Sequence, residues 1–166
     1  MIKIVSQAFN LLQDGKFIEA EFLYRKILKT DPNHIIANHN LGVTLKSLGN
    51  LNEAIIFFKK TIELKPNYLL AFCNLAIVLG LLNRPDEAAL NFKKVIEIEP
   101  DHLMANYNLG NILYSLKRFN EAITNYQKVI KIQPGNFVAY KNLGDSLFVL
   151  NKLDESIATY KKAIEL

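Results

Sequence analysis

Leu41–Pro66 reads LGVTLKSLGNLNEAIIFFKKTIELKP, and the spacing of five of its residues decides the fold. Leu41, Ala54, Phe58 and Pro66 each return when the sequence is shifted by 34 residues, and Gly42 returns as the similarly small Ala76. The prolines Pro32, Pro66, Pro100 and Pro134 keep that interval without exception. Numbering each proline as repeat position 32 divides residues 1–166 into repeats 1–34, 35–68, 69–102, 103–136 and 137–166, the last one shorter. Position 20 then holds Ala20, Ala54, Ala88, Ala122 and Ser156, and position 24 holds Tyr24, Phe58, Phe92, Tyr126 and Tyr160. Position 19 is Glu from Glu19 to Glu155, and positions 7 and 8 hold Leu41-Gly42, Leu75-Ala76, Leu109-Gly110 and Leu143-Gly144. A period of this length marks a stacked repeat architecture.

Each repeat predicts two helices. Positions 4, 7, 8 and 11 form one stripe of a first helix, as in Leu75, Ala76 and Leu79. Positions 20, 24, 27 and 28 form a stripe of a second, as in Ala88, Phe92, Val95 and Ile96. Gly or Ala at position 8 lets the partner helix approach closely. Polar turns such as Gly49-Asn50 and Asn83-Arg84-Pro85 separate the two helices. The proline cannot extend the second helix, and Asn33, Asn67 and Asp101 are expected to cap the next one. Neither helix hides its apolar face alone, so neighbouring repeats complete the core.

The pattern L-G-x-x-L, then A-x-x-x-F/Y, then P resembles the tetratricopeptide repeat (TPR), and the resemblance covers the whole chain. It implies an all-α fold, an α-solenoid of five helix-turn-helix repeats in a right-handed superhelical stack, forming a single TPR domain over 1–166. The Trp that the family carries at position 4 is replaced by Asn38, Phe72, Asn106 and Tyr140, and the first repeat has Gln7-Ala8 in place of Leu-Gly.

Composition excludes several roles. Half of the residues are apolar and 22% are charged, an ordinary globular balance. No apolar run approaches the roughly 18–20 residues that span a bilayer. Residues 1–15 lack the uninterrupted apolar core of a secretory signal, so a cytoplasmic location with no membrane partner is expected. One cysteine, Cys73, cannot form an internal disulfide. His34, His39 and His102 stand apart from other metal ligands, and no metal site or cofactor is expected. The net charge is +4, but 17 Lys against 3 Arg, dispersed in pairs, reads as a solvated surface rather than a nucleic-acid site. No nucleophile constellation, carboxylate pair or phosphate loop stands out, so the chain is not expected to be an enzyme.

The resemblance implies a concave ligand groove lined by positions 2, 5, 6, 9, 12 and 13 of the first helices. Position 6 is Asn40, Asn74, Asn108 and Asn142. Asn costs up to about 0.7 kcal/mol in mid-helix relative to Ala, so something favours it. One amide offers both a donor and an acceptor to an extended peptide, each such pair adding roughly 0.5–1.5 kcal/mol. The alternative is structural, a bond to a neighbouring helix in a chain with 18 Asn among 166 residues. The column is similar to that of the superhelix attached to O-linked N-acetylglucosamine transferases, where it holds substrate backbone. His39, Tyr107, Lys141, Asn111, Lys46 and Tyr114 are the further candidates for reading a protein or peptide ligand, Tyr107 and Tyr114 as anchors. The Lys and Asn set by which some TPR domains grip a carboxyl-terminal carboxylate does not occur in any three consecutive repeats. The basic pairs Arg25-Lys26, Lys59-Lys60, Lys93-Lys94 and Lys161-Lys162 at positions 25 and 26 read as a charged outer face, with a ridge for an acidic partner as the alternative.

Leu166 falls at position 30 of the last repeat. Ile157, Ala158 and Ile164 are expected to lie on an open edge, which suggests a piece of a longer chain or a homodimer through the C-terminal repeat. The opening segment looks like bacterial TPR segments that precede methyl-, sulfo- or glycosyltransferase domains. The expected function is a protein–protein interaction scaffold that binds an extended peptide. The alternative is an assembly or spacer module that self-associates through its ends with no groove ligand.

Overall fold

The stripes at positions 8, 20 and 24 bring helices together in pairs. The computed structural model describes residues 2–166, the side chain of Ile2 excepted. Ten α-helices occur among the described residues: α1 (Ile2–Gln13), α2 (Phe17–Thr30), α3 (Ile35–Ser47), α4 (Leu51–Leu64), α5 (Leu69–Leu81), α6 (Pro85–Ile98), α7 (Leu103–Ser115), α8 (Phe119–Ile132), α9 (Phe137–Val149) and α10 (Leu153–Glu165). They divide into two compact units, one running to Arg84 and the other Pro85–Leu166. In the first, each of α1 to α4 packs on the helix that follows it, and α3 also touches α1 and α5. In the second, α6 to α10 pack in the same sequential way, and α7 touches α9. The architecture is an all-α helical repeat.

Glycine at position 8 has a measurable reason. A Cβ added to Gly42 would lie 2.7 Å from Cε1 of Phe58, one on Gly110 2.7 Å from Cε1 of Tyr126, and one on Gly144 2.6 Å from Cε1 of Tyr160. The position-24 ring therefore lies flush against the backbone of the first helix. Ala20, Ala54, Ala88 and Ala122 at position 20 are fully buried. Ser156 is buried in the same column and donates its hydroxyl to the Gly144 carbonyl at 2.9 Å.

The reversal after each first helix uses one backbone device throughout. Gly15, Gly49, Asn83, Lys117 and Asn151, all at position 15, take φ of 73°, 79°, 55°, 59° and 59°. Around Asn151, its N–H donates to Phe148 O and the Lys152 N–H to Leu147 O, the paired bonds of a Schellman cap.

The turns between repeats correct one expectation. The helix caps are not Asn33, Asn67 and Asp101 but the residues that follow them, His34, Tyr68 and His102, with Asn136 in the last repeat. His34 and His102 each accept the Ala37 or Ala105 N–H on Nδ1 at 3.2 Å, and Asn136 accepts from Ala139 at 3.0 Å. The shift arises because α2, α4, α6 and α8 stop two residues before their prolines, and the tight turn that follows consumes position 33. Where the family has Trp, Asn38 donates to Pro32 O at 3.0 Å and His34 O at 3.1 Å. Asn106 repeats this on Pro100 O and His102 O, and both amides are buried.

The outer-face charges are also partnered. Arg25 at position 25 pairs with Glu53 at position 19 of the following repeat (2.8 Å), and Lys93 pairs with Glu121 in the same way (3.8 Å). These exposed pairs contribute little stability each, and they give Glu53 and Glu121 of the position-19 column a partner in the repeat before.

Candidate functional site

In the first unit the candidate residues of α3 and α5 form one hydrogen-bonded cluster. His39 is buried, its ring centroid 5.1 Å from that of Tyr68 and 5.9 Å from that of Phe58. Its Nδ1 lies 3.2 Å from Asn40 Oδ1 and its Nε2 3.4 Å from Asn74 Nδ2. An amide oxygen only accepts and an amide nitrogen only donates, so the tautomer protonated on Nδ1 is the one that satisfies both amide contacts. Burial holds the imidazole below its ordinary pKa, and the nearby Lys46 charge adds to the effect, against the pull of the Asn40 hydrogen bond. Lys46 donates to Asn74 Oδ1 at 2.8 Å, and burial lowers its pKa. Asn74 also donates to Leu70 O at 2.9 Å. Asn40 is buried beside His39.

In the second unit, α7, α8 and α9 build a different arrangement. Tyr126 donates its hydroxyl to Asn111 Oδ1 at 2.9 Å, and Asn142 Nδ2 donates to the same oxygen at 3.1 Å. Tyr160 donates to Asp145 Oδ1 at 2.7 Å, and Lys141 Nζ to Asp145 Oδ2 at 2.9 Å. Asn111, Tyr114, Tyr126, Asn142 and Asp145 line a cavity of about 160 Å³. The Tyr114 ring stands edge-on to Phe119, with centroids 5.3 Å apart, and Tyr107 lies tilted on Tyr126 at 6.5 Å. Burial pushes the Tyr126 phenol well above its usual range, and the neighbouring Tyr107, Tyr114 and Asp145 push the same way. Lys141 is raised, chiefly by its bond to Asp145.

The four asparagine rungs are therefore unequal. Asn74 has its amide engaged by Leu70, Lys46 and His39, and Asn40 is buried against His39. Asn142 gives one hydrogen to Asn111. Asn108 gives one to Met104 O at 2.9 Å, and its other hydrogen and its Oδ1 have no partner among the described residues. Asn108 keeps the two-way pairing capacity expected of the column, and Asn74 does not.

Two groups escape the sequence reading. Asp145 and Tyr126 join the second cluster through a rule linking columns 9 and 24. Tyr126 and Tyr160 accompany the polar Asn111 and Asp145, whereas Phe58 and Phe92 accompany Val43 and Ile77. The first repeat breaks the rule, because Tyr24 is matched with Phe9 and its buried hydroxyl has no partner within hydrogen-bond distance among the described residues, the Asn40 amide lying just beyond. Burial raises its pKa, and the Asn40 amide offsets that only in part. Tyr24→Phe should therefore stabilise the chain by about 1 kcal/mol, whereas Tyr126→Phe should destabilise it by a similar amount. Urea unfolding followed by circular dichroism reads both, and shifts of the same sign would refute the rule.

The second group is position 2, a column expected in the groove but not singled out by residue, where Ile36, Leu70 and Met104 are 50%, 55% and 40% exposed. Their signal was an apolar column one helical turn before the asparagines. Met104 lines, with Leu103, Tyr107, Asn136 and Val138, an apolar cavity of about 260 Å³. On α10, Ile157, Ala158 and Ile164 are exposed. No helix among the described residues is long and apolar enough to cross a membrane.

Family models for the tetratricopeptide repeat match residues 11–73, 70–102 and 138–166, and a TPR-repeat model matches 110–149. No curated protein sequence matches significantly. Among solved structures, a crystal structure of MamA is 29% identical with a TM-score of 0.90, over 95% of this chain and 92% of that one. A second MamA crystal structure is 28% identical with a TM-score of 0.91, over 99% and 92%. YrrB, described as a TPR protein with an unusual peptide-binding site, shares the fold at 22% identity and a TM-score of 0.87, over 98% and 84%. With the repeat in register from end to end, this chain belongs to the tetratricopeptide-repeat family of protein-interaction scaffolds.

Proposed function

We propose that the chain binds an extended segment of a partner protein on the faces of its first helices, with α7 and α9 supplying the most open contacts, and that it does so without catalysing a reaction. The observation that carries this reading is the row of exposed aliphatic side chains at position 2, one turn from the asparagines. Apolar groups left in water beside free amide capacity fit a peptide that brings an apolar side chain and backbone N–H and C=O groups together. The Met104 cavity suits the side chain, and the free half of the Asn108 amide suits the backbone. The peptide-binding description of YrrB agrees with such a role.

Asn108→Ala should reduce recovery of a native partner in affinity purification while changing unfolding stability by less than about 0.7 kcal/mol, since Ala regains helix propensity. Asn74→Ala should weaken binding less, its amide already being engaged. Full partner recovery with Asn108→Ala would count against the reading, and a collapse of stability would make the residue structural. A second reading, self-association, is favoured by the exposed Leu153, Ile157 and Ile164 on α10. A monomer by sedimentation at high concentration would remove it.

A further inference from the structure

We infer that the cavity lined by Asn111, Tyr114, Tyr126, Asn142 and Asp145 is a subsite for a cationic side chain, an arginine or lysine of the bound segment. The inference rests on reading α7 and α9 as guest-binding helices. Its first support is the direction of the hydrogen bonds. Tyr126, Asn142 and Tyr160 all spend a donor on acceptors within the cluster, namely Asn111 Oδ1 twice and Asp145 Oδ1 once. The lining is thereby left rich in lone pairs: Oδ2 of Asp145, Oδ1 of Asn142 and the phenol oxygens of Tyr126 and Tyr114. Against these acceptors stand the Nδ2 of Asn111, the second hydrogen of Asn142 Nδ2 and the rotatable Tyr114 hydroxyl as donors.

The second support is an occupant already present. Lys141 donates its ammonium to Asp145 Oδ2 from one helical turn away, with its side chain 61% exposed. An exposed pair at this spacing is weak, so a guest cation can displace it at little cost. Asp145 is only 31% exposed, which makes it a less hydrated and therefore stronger acceptor than a surface carboxylate. Tyr114, held edge-on by Phe119, offers an aromatic face beside it, the environment that favours a planar guanidinium. The cavity is small enough for one side-chain head group and too small for a folded element. The wider face is otherwise poor in charge: across positions 2, 5, 6, 9, 12 and 13 of α7 and α9, Lys141 and Asp145 are the only charged residues.

The test uses the whole chain and three small probes: the N-acetyl amides of arginine, lysine and citrulline. Side-chain amide resonances of Asn111 and Asn142 are followed by NMR during titration. The arginine and lysine probes should shift them saturably in the millimolar range, and the uncharged citrulline probe about tenfold more weakly. Asp145→Asn, which keeps an oxygen for Tyr160, should weaken the arginine probe by about tenfold. Lys141→Met, which removes the resident competitor, should tighten it by about threefold. Equal binding of citrulline and arginine, an unaltered affinity in Asp145→Asn, or weaker binding in Lys141→Met each overturns the subsite. Should Asp145→Asn fail to fold, the citrulline comparison and the Lys141 variant decide alone. A native partner retained by wild type and Asp145→Asn alike, with no shifts from arginine amide, overturns the subsite and leaves the peptide-binding reading standing. Loss of that partner with Asn108→Ala bears on the reading itself.

Discussion

Phe58→Ala should lower the unfolding free energy by about 3–5 kcal/mol, the largest effect expected of any single change in the first unit. The ring is fully buried, fills the space over Gly42 and stands 5.9 Å from His39. Its loss leaves a cavity whose floor is helix backbone, and backbone cannot collapse inward as side chains can. The loss also unseats His39, whose bonds to Asn40 and Asn74 lie at the edge of the apparent hydrogen-bond range at 3.2 and 3.4 Å. The change should thus be felt at Asn74 and Lys46 as well as in the core. Denaturant unfolding by circular dichroism gives the magnitude, and amide exchange should show the loss of protection centred on α3 and α4. A loss below about 1 kcal/mol would mean that the pair repacks, contrary to the rigid contact described.

Gly110→Val should cost about 3 kcal/mol in the second unit, near the upper end for an overpacked core site. The first added carbon would meet Tyr126 at 2.7 Å, and the two methyl groups beyond it would have to displace the ring. That ring carries the hydroxyl bonded to Asn111, so the side-chain amide resonances of Asn111 and Asn142 should move together with the drop in melting temperature. Gly110→Ala is the informative contrast. Ala8 occupies the same column in α1 and is fully buried, so one methyl can be accommodated in this type of helix pair. The gain of about 1 kcal/mol in helix propensity offsets much of the remaining crowding. An alanine variant as damaging as the valine variant would show that the Tyr126 ring has no room to shift at all.

The repeat and its helix pairs were legible because they depend on single columns. Ala at position 20, a ring at position 24 and Gly or Ala at position 8 each state one side of a close contact, and the period aligns them. What depends on two columns at once was not legible. The helix caps were read one residue early, since the length of the turn after each proline decides which side chain reaches the free N–H groups, and composition at positions 33 and 34 is polar in either case. The asparagines at position 6 look alike in sequence, yet their neighbours come from positions 5 and 12 of one repeat and position 9 of another. His39 and Lys46 engage Asn74, Asn111 engages Asn142, and among the described residues Asn108 bonds to Met104 O of its own helix. Asp145 was passed over for the same reason: its meaning depends on Tyr160 and Lys141, which meet it only in the folded chain.

The clasp that Asn38 and Asn106 place on the turns before them has a mechanical corollary. Where it is present, between α2 and α3 and between α6 and α7, the proline turn is held by a side chain of the next helix through two hydrogen bonds. Between α4 and α5 and between α8 and α9 that position is Phe72 or Tyr140, half-buried rings that hold by contact area and have no fixed direction of bonding. A hydrogen bond resists a small displacement steeply and then breaks, while apolar contact slides. Compliance should therefore alternate from joint to joint along the chain, with stiff, brittle turns followed by softer ones, so that a pulling partner would stretch the molecule at its aromatic joints first.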